Sequence, residues 1–462
     1  MLKHRYLPLT DEERQEMMKE IGVKDIEELF SDIPAKFRLN KKLNLPKGKS
    51  ELETYKELRN LAGKNKNVFD MPTFLGGGVW PHYIPSAVIE LVSRGEFLTA
   101  YTPYQPEISQ GMLQALFEYQ SLMAELLEMD VVNASMYDWG SSLGEAALMA
   151  SRITRKFRIL VPKLISPERL TALKTYVEPA NIEIEFIDYE KETGELDLND
   201  LKNKMNDKTA AVYIENPSYF GIIETKVDEI EKIVHDNNSL LIVGVDPTSL
   251  GLIRPPGNYN ADIVVGEGQP LGNPVGYGGP LLGIFATKEN LKMIKQMPGR
   301  IIGMTTTEDG KEIGFVMALQ TREQHIRRER ATSNICSNEA LCAVIAGVYL
   351  SLMGPDGMKK LGETIFYNTE YTIKKLGAIK GLKVPYFGGV HFKEFLVNFD
   401  NVKVSADTVH KELLKRGIHG GHITKSDFPE LGDSMLFCVT EIHTKNQIDS
   451  LVKALSDIVR GA

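Results

Sequence analysis

The sequence is poor in cysteine and has no excess of basic residues, and each shortage excludes a class of protein. Its 462 residues include only three cysteines, which are Cys336, Cys342 and Cys438. They cannot build a disulfide framework and do not have the spacing of a metal site. The net charge of −8 argues against a nucleic-acid partner, because phosphate binding needs concentrated lysine and arginine.

Long apolar runs are also missing from the sequence. None approaches the roughly 20 residues that a membrane span needs, so no membrane partner is expected. The N-terminal stretch MLKHRYLPLTDEERQ has no apolar segment of the kind found in signal peptides. Together with the few thiols, these features predict a cytoplasmic enzyme or enzyme subunit.

The first 66 residues are predicted to form a helical arm. Thr10 with Glu13, and Ser50 with Glu53, have the spacing of capping boxes at two helix starts. The basic stretch between them ends in GKS, but the glycine that a phosphate-binding loop requires five positions earlier is absent. We therefore expect an arm that wraps a neighbouring subunit.

From residue 157 onward, apolar β-rich runs alternate with helical stretches. The runs FRILV, IEIEFIDY, TAAVYIE, SLLIVGV, ADIVVGE and GGPLLGIFA are typical of strands. This alternation predicts an α/β fold with a mainly parallel sheet covered by helices on both faces. A long helix and a second, shorter alternation follow. We place a large domain at 67–325, and a linker helix with a small C-terminal α/β domain at 326–462.

Four residues at predicted strand ends could form a ligand site, because ligands of open α/β sheets bind beyond the carboxyl ends of the strands. Gly140, Ser141 and Ser142 begin a helix, where backbone N–H groups and hydroxyls could hold a phosphate. Ordinary capping of a buried helix explains them equally well. Asp246 ends an apolar strand and could pair with a cationic ring nitrogen, although a turn-forming aspartate before proline is the commoner case.

The glycine-rich loop GEGQPLGNPVGYGGP, residues 266–280, follows the next strand and contains no lysine, histidine, serine or cysteine. The chain thus has, in this order, a possible phosphate site, an aspartate at a strand end and a glycine-rich loop. This order resembles the large domain of aspartate-aminotransferase-type (type I) pyridoxal-phosphate enzymes. In those enzymes the last loop carries the lysine that forms a Schiff base with the cofactor.

The resemblance becomes specific over nearly the whole chain. It rests on RYLPLTDEERQEMMKEIGV, GGGVWPHYIP, AYTPYQPEISQG, VDPTSLG, GEGQPLGNPVGYGGPLLG and TREQHIRRERATSNICSNEAL. These stretches resemble subunit 1, the alpha chain, of the two-chain form of the glycine cleavage system P protein. That family is also called glycine dehydrogenase (decarboxylating).

The resemblance implies a subunit without its own catalytic lysine. Gln269 and Pro270 stand where the family's other half has a histidine–lysine pair, and a proline cannot form a Schiff base. Pyridoxal phosphate is therefore expected on subunit 2, with no covalent attachment to this chain. Lys226 and Lys288 are the candidates for a substitute, and both are expected at the start of solvated helices. Gly140, Ser141, Ser142 and Asp246 would remain as a non-catalytic site, which we call the relic pocket.

The implied reaction converts glycine and the oxidised lipoyl carrier H protein into the aminomethyl-dihydrolipoyl carrier and carbon dioxide. The implied partners are the lysine-bearing subunit 2 and the lipoylated H protein, in a two-plus-two heterotetramer. This chain would have a structural and interface role and would be inactive alone. The alternatives are an independently active pyridoxal-phosphate lyase or transferase and a non-catalytic scaffold protein.

A polar-aromatic loop, FLTAYTPYQPEISQG, is too long for a simple connector. The family resemblance implies that it reaches the shared active site at the subunit interface. The residues expected there are Tyr101, Thr102, Tyr104, Gln105 and Glu107. The alternative is a self-packed loop with partly buried tyrosines.

Two further clusters are weaker candidates. Arg327 and Arg328, in REQHIRRER, are typical of a solvated helix face, and they could also meet an acidic partner such as the lipoyl carrier. His419 and His422 have a spacing seen in metal sites, but the sequence offers no further ligand nearby. No metal site is expected.

Overall fold

The protein is described by a computed structural model that covers residue 6, residues 9–39 and residues 41–461. The chain divides into two compact units, Met1–Lys66 and Asn67–Ala462. The boundary placed after residue 325 stays a prediction.

The first unit contains the two helices that the sequence predicts. They are α1 (Asp11–Ile21) and α2 (Glu51–Ala62), and the two capping boxes, Thr10 with Glu13 and Ser50 with Glu53, are both present. None of the described residues in this unit is buried. The helices therefore owe their definition to local capping and sequence propensity, with no core of their own.

The second unit contains the remaining helices and all the strands of the described chain. Its helices are α3 (Ser86–Val92), α4 (Gly95–Leu98), α5 (Gln110–Leu127), α6 (Trp139–Thr154), α7 (Pro167–Val177), α8 (Leu198–Lys204), α9 (Val227–Asp236), α10 (Leu291–Ile294), α11 (Gln324–Arg327), α12 (Ala340–Gly377), α13 (Ala406–Lys415) and α14 (Lys445–Arg460). Its strands are β1 (Val131–Val132), β2 (Arg158–Pro162), β3 (Glu183–Ile187), β4 (Thr209–Glu215), β5 (Leu240–Val245), β6 (Ile263–Glu267), β7 (Gly283–Thr287), β8 (Ile301–Thr306), β9 (Ile313–Ala318), β10 (Glu394–Asn398), β11 (His422–Ile423) and β12 (Ser434–Cys438).

A seven-stranded sheet forms the centre of the second unit, in the order β1-β7-β6-β5-β4-β2-β3. Strands β2 to β6 run parallel, and β7 is antiparallel to both β6 and β1. Neighbouring residues of one strand enter opposite cores, as Ile242 and Val243 do. The sheet is therefore buried on both faces, which confirms the prediction from continuous apolar runs.

A smaller antiparallel sheet, β10-β12-β11, follows α12. Its core includes apolar residues of α13 and α14, such as Leu413 and Leu451. The hairpin β8-β9 is the element that the sequence analysis missed. Several of its side chains are exposed, for example Met304 and Ile313, so it has no strong burial pattern to recognise.

The long helix α12 corrects the expectation about apolar runs. By length and composition alone it could cross a membrane, a test that the core helix of a soluble protein also passes. It contains a non-helical residue, Gly354, followed by Pro355. Ala343, Ala346 and Ile365 are fully buried in the main core. The apolar character of α12 therefore serves packing in this structure.

Two local predictions are also corrected. The stretch SPERLTALKTYV predicts a helix capped by Ser166, but Ser166, which precedes α7, makes no side-chain capping bond. The helix expected over KENLKMIKQM is reduced to the single turn α10.

Candidate functional site

The relic pocket lies at the carboxyl edge of the central sheet. Asp246 follows β5, and Gly140, Ser141 and Ser142 belong to the first turn of α6. Trp139, the first residue of α6, lines the same small cavity as Asp246. The fold thus brings the four predicted residues to one edge of the sheet. The contacts of each residue decide what the site can hold.

The start of α6 is already capped by carboxylates of this chain. The backbone N–H of Ser141 donates to Oδ1 of Asp138 at 2.7 Å, and that of Trp139 donates to Oε2 of Glu267 at 3.3 Å. The hydroxyls of Ser141 and Ser142 both donate to the backbone oxygen of Asp138. Both serine hydroxyls and the N–H groups of Trp139 and Ser141 are therefore engaged within the chain.

Glycine at position 140 is required by helix packing. A Cβ there would lie 2.9 Å from the Cβ of Ala172 on α7, closer than real Cβ atoms approach. Close contact between α6 and α7 therefore explains Gly140 without a ligand.

Glu267, at the end of β6, takes the place of an anion at the start of α6. It is 1% exposed and accepts from the backbone N–H groups of Trp139, Gln269 and Leu282. Burial raises the pKa of Glu267 to about 7, although the three N–H donors favour its charged form.

The two carboxylate oxygens of Asp246 have different partners, one in a local turn and one a cation. Its Oδ1 accepts from the backbone N–H and the hydroxyl of Thr248, at 3.0 and 2.8 Å, which is the turn-forming role. Its Oδ2 forms an ion pair with Lys393. The carboxylate thus has a cationic partner that the same chain supplies.

Lys393 is the site residue that sequence reasoning missed. It is 1% exposed, and its Nζ lies 4.3 Å from the ring centroid of Trp80 and 3.1 Å from Nε2 of His82. It directly precedes β10, in the apolar stretch HFKEFLVNF. A lone lysine in such a run was the only available indication, because nothing local connects it with Asp246.

A second buried ion pair adjoins the cavity. Arg169 binds Glu215 through two hydrogen bonds of 2.9 Å each, and its guanidinium lies 4.0 Å from the Trp139 ring centroid. The Trp139 indole N–H donates to the hydroxyl of Tyr213, which donates to Glu215. This network holds Trp139 rigidly against the sheet.

The loop after β6 has a structural role. Gln269 is 1% exposed, accepts from the backbone N–H of Trp80 at 3.2 Å and donates to the backbone oxygen of Asn273 at 2.8 Å. Pro270 beside it is buried and has no nucleophilic atom. The loop therefore anchors the segment around Trp80.

The residues at this edge do not fit pyridoxal phosphate. Lys393 supplies the cation opposite Asp246, Glu267 supplies the anion at the start of α6, and the two indoles of Trp80 and Trp139 line what remains. The remaining cavity measures about 10 Å³, which is room for one water molecule at most. The cofactor ring and its phosphate would clash with this arrangement.

The lysines considered as substitutes lie elsewhere. Lys288 follows β7, and its Nζ donates to the backbone oxygen of Asn260 and to Asp262, at 2.9 and 3.2 Å. Asp262 precedes β6, so Lys288 is at the amino end of that strand and the relic pocket is at the other end. Lys226 precedes α9 and contacts Glu195 at 3.6 Å. Neither lysine lines the relic pocket.

Comparisons with known proteins show the family of this chain. The glycine cleavage system P-protein family matches residues 4–455. The chain belongs to the glycine cleavage system P-protein family. A probable glycine dehydrogenase (decarboxylating) subunit 1 from Staphylothermus marinus is 53% identical, with 99% of both chains covered. The protein of the same description from Pyrococcus abyssi is 52% identical over 99% of this chain and all of its own.

Solved structures extend the comparison to the fold. A crystal structure of glycine decarboxylase (P-protein) in inhibitor-bound form is 36% identical, with a TM-score of 0.88, 98% of this chain and 100% of that chain covered. A sphingosine-1-phosphate lyase from Burkholderia pseudomallei, 14% identical over 93% of this chain and 95% of its own, has a TM-score of 0.67 and supports the fold alone. The P-protein chain described here has the type I fold of pyridoxal-phosphate enzymes, as predicted.

The polar-aromatic loop of this P-protein chain is anchored at Thr102 and Tyr104 and exposed on either side of them. The Tyr104 hydroxyl accepts from the guanidinium of Arg300 at 3.1 Å, and Thr102 bonds to Ser337. Tyr101 is 67% exposed, and Gln105 and Glu107 are exposed as well. The interface role of this loop stays a prediction, as does the alternative of a self-packed loop.

The two weaker candidates are now located. Arg327 and Arg328 are exposed, but the predicted helix face is only the single turn α11 followed by a 3-10 turn. His422 lies 3.9 Å from Asp427, and His419 contacts Thr73. Among the described residues, no group of three or more acidic, histidine or cysteine side chains could hold a metal ion.

Proposed function

We propose that this chain is the lysine-less subunit of a glycine decarboxylase. The complex would convert glycine and the oxidised lipoyl carrier H protein into the aminomethyl-dihydrolipoyl carrier and carbon dioxide. The observation that carries the proposal is the pairing of Asp246 with Lys393, which puts an internal cation where a type I enzyme would bind its cofactor. Pyridoxal phosphate, when bound, supplies the electron sink for decarboxylation, and we assign it to subunit 2.

Three features support a non-catalytic role for the relic pocket. Its helix start is capped by Asp138 and Glu267, and its aspartate has an internal partner. The loop that would carry the Schiff-base lysine has Pro270 instead. The chain alone would therefore be inactive and would act by shaping the active site of its partner.

The polar-aromatic loop is the surface that we assign to the shared active site. The relatives described as subunit 1 imply a second subunit. Arg300, which is buried, fixes the position of Tyr104, while Tyr101, Gln105 and Glu107 stay accessible to a partner. Anchored in this way, the loop would position its exposed residues in the partner's site without refolding.

The wider assembly follows from the same proposal. We expect a two-plus-two heterotetramer. We also expect it in the cytoplasm, in keeping with the few cysteines of the sequence. Arg327 and Arg328 would give the acidic or lipoylated carrier a positive docking surface. An independently active pyridoxal-phosphate enzyme would need a lysine in an open pocket, and the cavity here is closed around Lys393.

Cofactor trapping tests the proposal directly. The full chain is incubated with pyridoxal phosphate, alone and with the lysine-bearing subunit, and then reduced with borohydride. Pyridoxyl-lysine peptides are mapped by mass spectrometry, with the peptides of Lys226, Lys288 and Lys393 followed explicitly. We expect the label only on the partner, and glycine decarboxylation only from the mixture. A specific label on any lysine of this chain would overturn the proposal.

A further inference from the structure

The relic pocket differs from a type I cofactor site at the two places where the charged ends of the cofactor would bind. A type I cofactor brings a cationic ring nitrogen to the aspartate and an anionic phosphate to a helix start. In this chain the ammonium of Lys393 meets Asp246, and the carboxylate of Glu267 meets the start of α6. Both charged ends of the cofactor are therefore replaced by side chains of the chain itself.

We propose that Asp246, Trp80 and His82 form a cation site that Lys393 fills from within. The inference rests on the proposed function, because it assumes that this chain carries no cofactor. The site would bind a small alkylammonium ion if the lysine side chain were removed. Lys393 is thus the residue that closes the pocket and stabilises it without a ligand.

The contacts of the ammonium are those of a complete site. An ammonium has three N–H donors and no acceptor. Lys393 Nζ pairs with Asp246, lies 3.1 Å from Nε2 of His82 and faces the Trp80 ring at 4.3 Å. An indole face is the aromatic surface that attracts a cation most strongly. Each N–H direction therefore has a partner of the right chemistry.

His82 lies between the ammonium of Lys393 and the carboxylate of Glu441. The ammonium of Lys393 can only donate, and the carboxylate of Glu441, 2.8 Å from Nδ1 of His82, accepts. These two contacts fit a ring that accepts at Nε2 and donates at Nδ1. The histidine therefore presents a lone pair to the cation.

The backbone at Lys393 also favours this placement. Its φ of 65° lies in the left-handed region that residues other than glycine seldom adopt. Such a conformation persists only where the surroundings stabilise it. The N–H of Val439, which donates to the backbone oxygen of Lys393 at 2.8 Å, and the contacts of the ammonium hold the residue at its two ends.

Chemical rescue tests the cation site. Lys393→Ala removes the three methylenes and the ammonium that n-propylammonium would restore. We expect the full chain with Lys393→Ala to lose roughly 5–10 °C in Tm, because a buried aspartate has lost its partner. Millimolar n-propylammonium should recover at least half of that loss. The neutral 1-propanol should not, and neither compound should change the Tm of the control variant Lys288→Ala.

A second pair of variants covers the case in which Lys393→Ala does not fold. Lys393→Met is one atom shorter and removes the charge, and Lys393→Met with Asp246→Asn removes both charges. We expect the double variant to have the higher Tm of the two, since no unpaired carboxylate remains. A double variant less stable than Lys393→Met would overturn the inference.

Two further outcomes would overturn the inference and leave the proposed function unaffected. One is equal recovery by 1-propanol, which would indicate cavity filling alone. The other is a Lys393→Met variant with the Tm of the wild type. Failure of the proposed function would instead appear as pyridoxyl labelling of the wild-type chain, so the two failures are distinguishable.

Discussion

Gln269 accepts a hydrogen bond of 3.2 Å from the backbone N–H of Trp80. This bond holds the segment that carries the indole beside Lys393. Gln269 thus has a structural role in the loop after β6.

Gln269→Ala should destabilise the second unit. The substitution leaves the buried N–H of Trp80 and the backbone oxygen of Asn273 without their partners, and an unsatisfied buried group costs about 1–3 kcal/mol. Urea unfolding of the full chain measures the difference. Gln320→Ala is the control, because that amide bonds only within its own turn, to Met317. Equal losses for the two variants would contradict the assigned role.

The buried pair of Arg169 and Glu215 should matter far more than an exposed pair of the same geometry. Their side chains are 7% and 1% exposed, and Glu215→Gln should cost roughly 3–5 kcal/mol because the guanidinium loses its charged partner. Arg254 binds Asp228 in the same two-bond arrangement at side-chain exposures of 49% and 67%.

Asp228→Asn is therefore the matched control for that prediction, with an expected loss of about 0–1 kcal/mol. Denaturant unfolding of the two variants side by side gives the comparison. A loss at Glu215 as small as that at Asp228 would show that the network around Trp139 contributes little.

Substitutions in the polar-aromatic loop should impair catalysis more than assembly. Tyr104→Ala and Gln105→Ala should each lower kcat of the complex with subunit 2 by roughly tenfold or more, because loose positioning at a shared site is costly. Complex formation, followed by analytical ultracentrifugation, should change little. Tyr367→Ala, at a tyrosine exposed on α12, is the control. Unchanged turnover in both loop variants would remove the interface role.

Charge reversal at the arginine pair tests carrier docking. Arg327→Glu with Arg328→Glu should weaken binding of the lipoylated carrier roughly tenfold at low salt, and the difference should shrink as salt screens the charges. Titration calorimetry at two ionic strengths measures both effects. Lys359→Glu with Lys360→Glu, at exposed positions of α12, controls for net charge. The hypothesis fails if the arginine variant binds the carrier like the wild type.

Glu267 should make stability depend on pH. Its pKa is about 7 in the folded chain and about 4.3 when unfolded, so the folded state binds the proton more tightly. The free energy of unfolding therefore falls as pH rises from about 4.3 through 7, and it levels off above that. Over this range Glu267→Gln should gain about 2–4 kcal/mol relative to the wild type.

Urea unfolding at several pH values checks this expectation, with the exposed Glu430→Gln as the control. Only the slope of the difference with pH is diagnostic, because the amide alters hydrogen bonding at every pH. A difference between Glu267→Gln and the wild type that stays constant from pH 5 to pH 8 would contradict the assignment.

The fold was predictable where patterns are local. Continuous apolar runs of five to seven residues, such as β4, predict a buried parallel strand. Capping boxes such as Thr10 with Glu13 predict helix starts. The hairpin β8-β9 was missed because its side chains are largely exposed. The site was predictable only in part, since Asp246 stands at a recognisable strand end and its partner Lys393 is 147 residues away in the sequence.

The sequence by itself determined that this chain cannot form the usual Schiff base at its cofactor loop, because Pro270 has no amine to offer. It also determined the central sheet, through the apolar pattern of the strands. Only the tertiary structure decided which side chains meet at the carboxyl edge of that sheet. Folding brings Lys393 to Asp246 and Glu267 to the start of α6, because buried charges require partners wherever the packed chain can supply them.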